Sequence, residues 1–236
     1  MISVVIPAYN EENAIEACLT AFQNQTTTHP FEVILVDNNS TDKTVEKAKI
    51  YADRIPLKII HEKKKGRGAA RKTGFEAAQG HIILSTDADT VIPPHWIETM
   101  TAHFADSSII AITGTGKITD RKKLINAFFN FLQPMSMRAY RLTFGHYWLT
   151  GFNFAITKDA YKKAGGFKEE LNAQEDVELA FRVKNIGKIK FVKDVPVLVS
   201  GRRYQKGFFI GLSSYVSTFV GIVLFKKTNL ILSDPR

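Results

Sequence analysis

His81-Ile82-Ile83-Leu84-Ser85-Thr86-Asp87-Ala88-Asp89-Thr90 is a short apolar run that ends in two carboxylates spaced two apart. A run rich in Ile and Leu that stops in polar residues predicts a buried strand over 81–86, with the acids at its end. Open α/β sheets bind ligands beyond the carboxyl ends of their strands, so a functional pair belongs in this position. Two such acids can divide the work, one carboxylate on a hard divalent cation and the other on a substrate hydroxyl. Mg²⁺ and Mn²⁺ favour oxygen ligands, and Mg²⁺ commonly takes one or two carboxylates plus substrate phosphates. Alone, the pair reads first as a solvated Asp-rich turn. Its neighbours decide.

Working outward, strand and helix signals alternate. Residues 3–6 predict a first strand stopped by Pro7. Ile15, Leu19 and Phe22 recur at helical spacing within 12–24. Residues 33–36 predict a second strand, followed by the polar turn Asp37-Asn38-Asn39-Ser40-Thr41-Asp42. Val45, Ala48 and Ala52 mark one face of the next helix, with Ser40 placed to cap it and Asp42 at its positive end. A third strand over 57–60 and an Ala-rich helix over 67–79 complete the approach to the acidic pair. Beyond it come a helix at 94–104, strands at 109–113 and 152–156, and a helix at 175–185 closed by Gly187. Residues 122–148 alternate aromatic and basic side chains with no clean period. Strands alternating with helices imply βαβ units, so the fold class is α/β with a mostly parallel sheet flanked by helices.

Bulk properties narrow the classes. At 236 residues and 44% hydrophobic the chain can bury a substantial core, so a globular rather than a disordered protein is the leading expectation. Its net charge of +9 suits phosphorylated substrates, an anionic membrane or nucleic acid, without choosing among them. The single cysteine, Cys18, excludes an intrachain disulfide and a zinc cluster, and its place on a helix's apolar side marks core packing. The start, Met1-Ile2-Ser3-Val4-Val5-Ile6-Pro7, lacks a basic leader and a signal-length apolar run, so the main body is expected in the cytosol. No internal repeat or linker appears before about residue 200, which predicts one domain over 1–205 and an appended segment over 206–236. Residues 207–225 carry no charge and are flanked by Arg202, Arg203 and Lys206 before and Lys226 and Lys227 after. A helix of that length approaches the roughly 30 Å of a bilayer core, though Ser213, Ser214, Ser217 and Thr218 dilute it. Basic flanks around an apolar helix predict membrane association, either lying on the surface or spanning it.

Four separated segments carry the chemistry: Val4-Val5-Ile6-Pro7-Ala8-Tyr9-Asn10-Glu11-Glu12, Val36-Asp37-Asn38-Asn39-Ser40-Thr41-Asp42, the acidic pair, and Gln174-Glu175-Asp176-Val177-Glu178-Leu179. In this order they closely resemble glycosyltransferase family 2, the inverting enzymes of GT-A fold that move a sugar from a nucleoside diphosphate donor. The resemblance covers about residues 1–205. It implies that Pro7, Ala8, Tyr9 and Glu11 wrap the nucleoside and that Asp37 accepts a hydrogen bond from the base. A carboxylate suits the uracil imide or the guanine N–H edge alike, and a UDP-sugar is the preferred expectation. Arg67 and Arg71, in Gly66-Arg67-Gly68-Ala69-Ala70-Arg71, are implied beside the nucleotide. Asp87 is implied at the ribose and Asp89 on a Mg²⁺ or Mn²⁺ ion bridging the donor phosphates. No histidine joins that metal set, because His81 precedes its strand and His146 lies in an aromatic stretch suited to packing. Asp176, with Glu175 as neighbour, matches the family's base, Gly151 and Asn153 match the segment lining donor sugar and acceptor, and Arg202 and Arg203 match the approach to the diphosphate. The processive Gln-x-x-Arg-Trp signature is missing, so transfer of a single hexosyl unit is expected.

The rivals lack their own signatures. The first loop holds no Gly-x-Gly for a dinucleotide, and Gly66-Arg67-Gly68 lacks the Lys-Ser/Thr ending of a phosphate loop. A sugar-nucleotide nucleotidyltransferase needs a Gly-x-Gly-x-Arg-Leu loop where Pro7-Ala8-Tyr9 stands. A basic nucleic-acid or membrane-binding module without catalysis would leave the acidic segments unexplained, and no nucleic-acid motif is present. The expected partners are a nucleotide-sugar donor, a glycan or lipid-linked acceptor of the cell envelope, and a membrane surface. The expected place is the cytoplasmic face of the membrane, held peripherally or by the C-terminal helix.

Overall fold

β1 (Ile2–Ala8) and β2 (Phe31–Asp37) pair in parallel along their whole length, from Ile2 against Phe31 to Ala8 against Asp37. Both are nearly unbroken Val/Ile/Leu runs, the composition of strands covered on two faces. The computed structural model describes residues 1–205. The helix expected over 207–225 lies outside the described residues, and among those described no helix is long and apolar enough to cross a membrane. β3 (Leu57–His61) joins the far edge of β2, and β4 (Ile82–Ser85) takes the other side of β1. β6 (Ile109–Thr113), β8 (Phe154–Thr157) and β9 (Lys188–Phe191) complete a seven-stranded sheet in the order β3-β2-β1-β4-β8-β6-β9. β8 runs antiparallel to both of its neighbours, the exception to the parallel sheet read from the sequence.

Alternation along the strands divides the core. Val4, Ile6, Val33, Leu35 and Leu84 point to the face covered by α1 (Ile15–Gln23), α2 (Thr44–Lys49) and α4 (Trp96–Ala102). Val5, Ile34, Val36 and Ile83 point to the face covered by α3 (Arg67–Ala77), α6 (Lys158–Lys163) and α7 (Glu175–Val183). Cys18 is buried on α1, as its spacing requires.

Several local expectations are corrected. Pro7 does not stop β1, because the strand continues through it opposite Val36. Ser40 does not cap α2; its hydroxyl accepts from Asn10 N at 3.0 Å, while Asp42 takes Thr44 N at 2.9 Å just before that helix. Ala52 lies beyond the end of α2 and is exposed, so only Thr44 and Ala48 are buried on that helix. The largest miss is α5 (Lys123–Phe144), a 22-residue helix in the stretch that showed no period. It carries apolar side chains on both faces, some toward the protein and others, such as Leu124 and Phe131, exposed, and Pro134 sits inside it.

A second, three-stranded sheet forms from β5 (Thr90–Val91), β7 (Gly116–Lys117) and β10 (Val197–Val199), in the order β5-β10-β7. Val199 pairs with Thr90, directly after the acidic pair, so the chain leaving β10 passes over Asp89.

Candidate functional site

The chain leaves β1 toward β2 and β3 and returns on β1's other side as β4. Loops leaving β1 and β4 therefore diverge and open a crevice at their carboxyl ends. A cleft of about 640 Å³ occupies it, lined among others by Tyr9, Glu11, Asp87, Asp89, Glu175 and Asp176. Pro7, Ala8, Arg67, Arg71, Gly151, Arg202 and Arg203 also border it. Pro7 and Arg203, 196 positions apart in sequence, thus border one cleft, and most of the expected site is assembled.

The acidic pair occupies the turn between β4 and β5. Arg202 reaches it because β10 is laid against β5. Its Nη2 lies 2.9 Å from Asp89 Oδ2, and it grips Glu11 through two hydrogen bonds of 2.5 and 2.8 Å. Burial pushes the Asp89 carboxyl up to about 6, opposed by Arg202 and reinforced by Asp87 and Glu11. The same three carboxylates, after burial, raise the Cys18 thiol behind them, so that thiol stays protonated and inert. Among the described residues no group of three His, Cys, Asp or Glu is arranged to hold a metal by itself. Glu11, Asp87 and Asp89 nevertheless offer only oxygen, and they are paired with Arg202 and Arg71. That donor set fits Mg²⁺ or Mn²⁺ in the mode that completes its shell from substrate phosphates and water.

Arg71 is the electrostatic centre of the cleft floor. It is buried rather than solvated: Nη1 pairs with Glu175, Nη2 lies 2.6 Å from Asp87 Oδ1, and Nε lies 3.4 Å from Ser85 Oγ. Glu175 is likewise buried and pairs with Arg71, while it lines the cleft next to Asp176. The glycines before Arg71 serve packing. A Cβ on Gly68 would lie 2.4 Å from the carbonyl oxygens of Lys168 and Leu171, so only glycine lets the start of α3 meet that loop. Arg67 faces the cleft.

Asp176 sits in the first turn of α7. Its Oδ2 accepts Gly151 N at 2.7 Å and its Oδ1 accepts Val177 N at 2.8 Å. The carboxylate therefore both anchors the helix start and faces the cleft. Burial, then the Glu175 carboxylate, raise it to about 7, while Arg71 and the two N–H donors pull the other way. A Cβ on residue 151 would come within 2.6 Å of Arg71 Nη2 and 3.0 Å of Asp176 Oδ2, which explains glycine there.

Two expected site residues, Asn153 and Asp37, do not line the cleft itself. Asn153 is fully buried, bonding Thr115 O, Val195 O and the Trp96 indole at 2.9 to 3.1 Å. It ties the end of the main sheet to the β10 segment and does not border the cleft. Asp37 is buried beside the crevice, accepting Ser40 N and contacting His61 Nδ1 at 3.1 Å, while Asn38, next to it, borders the cleft. His146 packs against Tyr140 and Phe181, away from the acidic pair, as expected of a packing histidine. The sequence reading missed the wall supplied by α5, with Phe129, Leu132, Ser136, Tyr140 and Thr143 toward the cleft. Their spacing of three and four was the available signal.

A model described as glycosyl transferase family 2 matches residues 3–165. Glycosyltransferase AglE of Haloferax volcanii is 27% identical over 89% of this chain and 71% of its own length. Among solved structures, S. aureus TarS 1-349 in complex with UDP-GlcNAc superposes with TM-score 0.66 at 20% identity, over 84% of this chain and 58% of its own. Mannosyltransferase PcManGT from Pyrobaculum calidifontis, in complex with GDP-Man and Mn²⁺, superposes with TM-score 0.68 at 22% identity, over 92% of this chain and 64% of its own. The chain thus spans less than two thirds of either solved chain, and at these identities the likeness to the two structures concerns the fold, which is GT-A-like.

Proposed function

The chain belongs to glycosyltransferase family 2, and from that premise we propose an inverting transfer of one hexosyl unit from a nucleotide-sugar to an acceptor hydroxyl. The observation that carries the mechanism is Asp176: a carboxyl raised to about 7, fixed by two backbone N–H groups, in the cleft that holds Asp87 and Asp89. A base is most effective when its pKa lies near the working pH, and a positioned base contributes about 10²–10⁴-fold. Asp176 takes the acceptor hydroxyl proton as that oxygen attacks the anomeric carbon. The bond from the anomeric carbon to the phosphate oxygen breaks on the opposite side, and the nucleoside diphosphate departs with the electron pair. Gly151 N keeps the base aimed, and Arg71 holds Asp87 and Glu175 in register.

Tyr9 and its neighbours Pro7 and Ala8 frame the nucleoside, with Asp37 at the base and Asp87 at the ribose. Asp89, assisted by Glu11, would hold Mg²⁺ or Mn²⁺, which supplies charge neutralisation at the donor phosphates. Arg202 then exchanges its carboxylate partners for the diphosphate, with Arg203 beside it. The UDP-sugar preference rests on the family resemblance, and the complexes of TarS with UDP-GlcNAc and PcManGT with GDP-Man make both nucleotides worth testing. A lipid-linked acceptor at the cytoplasmic face of a membrane is supported by the exposed apolar side chains of α5: Leu124, Phe128, Phe131, Met135 and Leu142. They recur mainly at intervals of three and four, beside Lys122, Lys123, Arg138 and Arg141, as in helices that lie on anionic bilayers.

The test is a panel of UDP- and GDP-sugars with Mn²⁺ or Mg²⁺, read as release of nucleoside diphosphate. Turnover of one donor, abolished by chelation, is the expected result. No release from any donor, with either metal, would overturn the reading.

A further inference from the structure

Behind the cleft, across Phe144, lies a second cavity of about 460 Å³ between the end of α5, the end of α7 and β9. Among the described residues four cations border it, Arg141, Lys184, Lys188 and Lys190, the last with its ammonium 3.1 Å from His103 Nδ1, and no carboxylate does. Asp106, its own carboxyl held low first by Ser108 and then by Lys188 and Lys190, stands outside the lining. Four like charges around one hollow repel one another, and an anion inside relieves that repulsion.

A second observation points to the same ligand chemistry. His146 borders this cavity with only 7% of its surface exposed, its ring packed on Tyr140 and Phe181, yet among the described residues neither ring nitrogen has a hydrogen-bond partner. Leaving a buried polar group unmet is unfavourable, so such groups ordinarily meet a ligand or water. Burial, then Lys184, push this imidazole down to about 4, which leaves it neutral with one N–H to donate. Tyr147 adds a phenol 3.4 Å from Arg141 Nη1, under a guanidinium 5.2 Å from its ring.

We propose that this cavity is a second anion site, separate from the nucleotide cleft, that takes a phosphate or diphosphate group through Arg141, Lys184, Lys188, Lys190, His146 and Tyr147. One carboxylate would leave most of that positive charge unbalanced, whereas a diphosphate matches it and offers oxygens to every donor. The assignment stands on the cavity itself and holds whichever sugar the cleft transfers.

The test follows the ring nitrogens of His146 by ¹⁵N NMR in the full chain, with His146→Gln to identify the signal, during titration with inorganic pyrophosphate. A saturable shift is expected. It should weaken about tenfold in Lys184→Ala/Lys188→Ala, a loss of about 1.4 kcal/mol shared between two exposed charge pairs, and stay unchanged in Arg202→Ala. Both lysines are exposed, so an unaltered melting temperature in the double variant excludes a folding effect. Citronellyl diphosphate in a parallel arm separates the sources: tighter binding than pyrophosphate marks a lipid-linked group, equal binding a free one, and either supports the site. No saturable shift, a shift that the double variant keeps in full, or one abolished by Arg202→Ala would overturn it.

Discussion

Asp176→Asn separates a catalytic carboxylate from a helix-capping one, because the two roles have different costs. The native side chain accepts two backbone hydrogen bonds, at 2.7 and 2.8 Å. An asparagine keeps one acceptor oxygen and turns its NH₂ toward the other donor, which then goes unmet, at about 1–3 kcal/mol. Against that, the raised carboxyl shows that charge is already disfavoured at this position, and a neutral amide removes the penalty. The two terms oppose, leaving a net loss of no more than about 2 kcal/mol. At roughly 2–4 °C per kcal/mol for a domain of this size, the melting temperature should fall by less than about 8 °C. Turnover should fall much further, by about 10²–10⁴-fold, because the proton moves only as the acceptor attacks. Donor affinity should stay near wild type. Turnover on the donor found by the panel, donor calorimetry and thermal melting on one sample measure all three. A variant that melts lower yet keeps turnover within about tenfold would refute the base. So would one whose donor affinity falls in step with its rate.

Other outcomes follow from the same geometry. Arg71→Met should lower stability by about 3–5 kcal/mol in urea unfolding, since it strands the buried Glu175 and its neighbour Asp87; a loss below about 1 kcal/mol would deny Arg71 that role. Asp89→Asn should weaken metal-dependent donor binding in calorimetry, and unchanged affinity would remove Asp89 as a ligand. Asp176 and Asp89 both titrate above the ordinary carboxyl range, so the native state keeps protons that the unfolded chain has released between about pH 4 and 7. Their contribution to stability therefore falls as pH rises across that window, while turnover rises with the ionisation of Asp176 toward a midpoint near 7; parallel stability and rate profiles would contradict this. Leu124→Ser/Phe131→Ser should reduce co-sedimentation with vesicles of anionic phospholipid, and equal sedimentation would remove α5 from the membrane contact.

The sequence by itself determined the parallel half of the sheet and the places where function could sit. Unbroken apolar runs such as 33–36 must be buried on both faces, and the acids that end them must lie at the strand ends. Helical spacing also marked α1 and α2, and an Ala-rich run marked α3. Periodicity was not read for α5, whose apolar residues recur at three and four but are interleaved with basic ones around Pro134, nor for β5, β7 and β10, too short to carry a pattern. Residue types named the chemistry without assigning partners. Only the tertiary structure decided that Arg71 is a buried tie between Asp87 and Glu175, that Asn153 is a structural bridge, and that Arg202 closes over Glu11 and Asp89. Those facts depend on strand order and on the pairing of β10 with β5. Contacts between residues so distant in sequence leave no local period, because what brings them together is the packing of whole elements rather than any preference of the residues themselves.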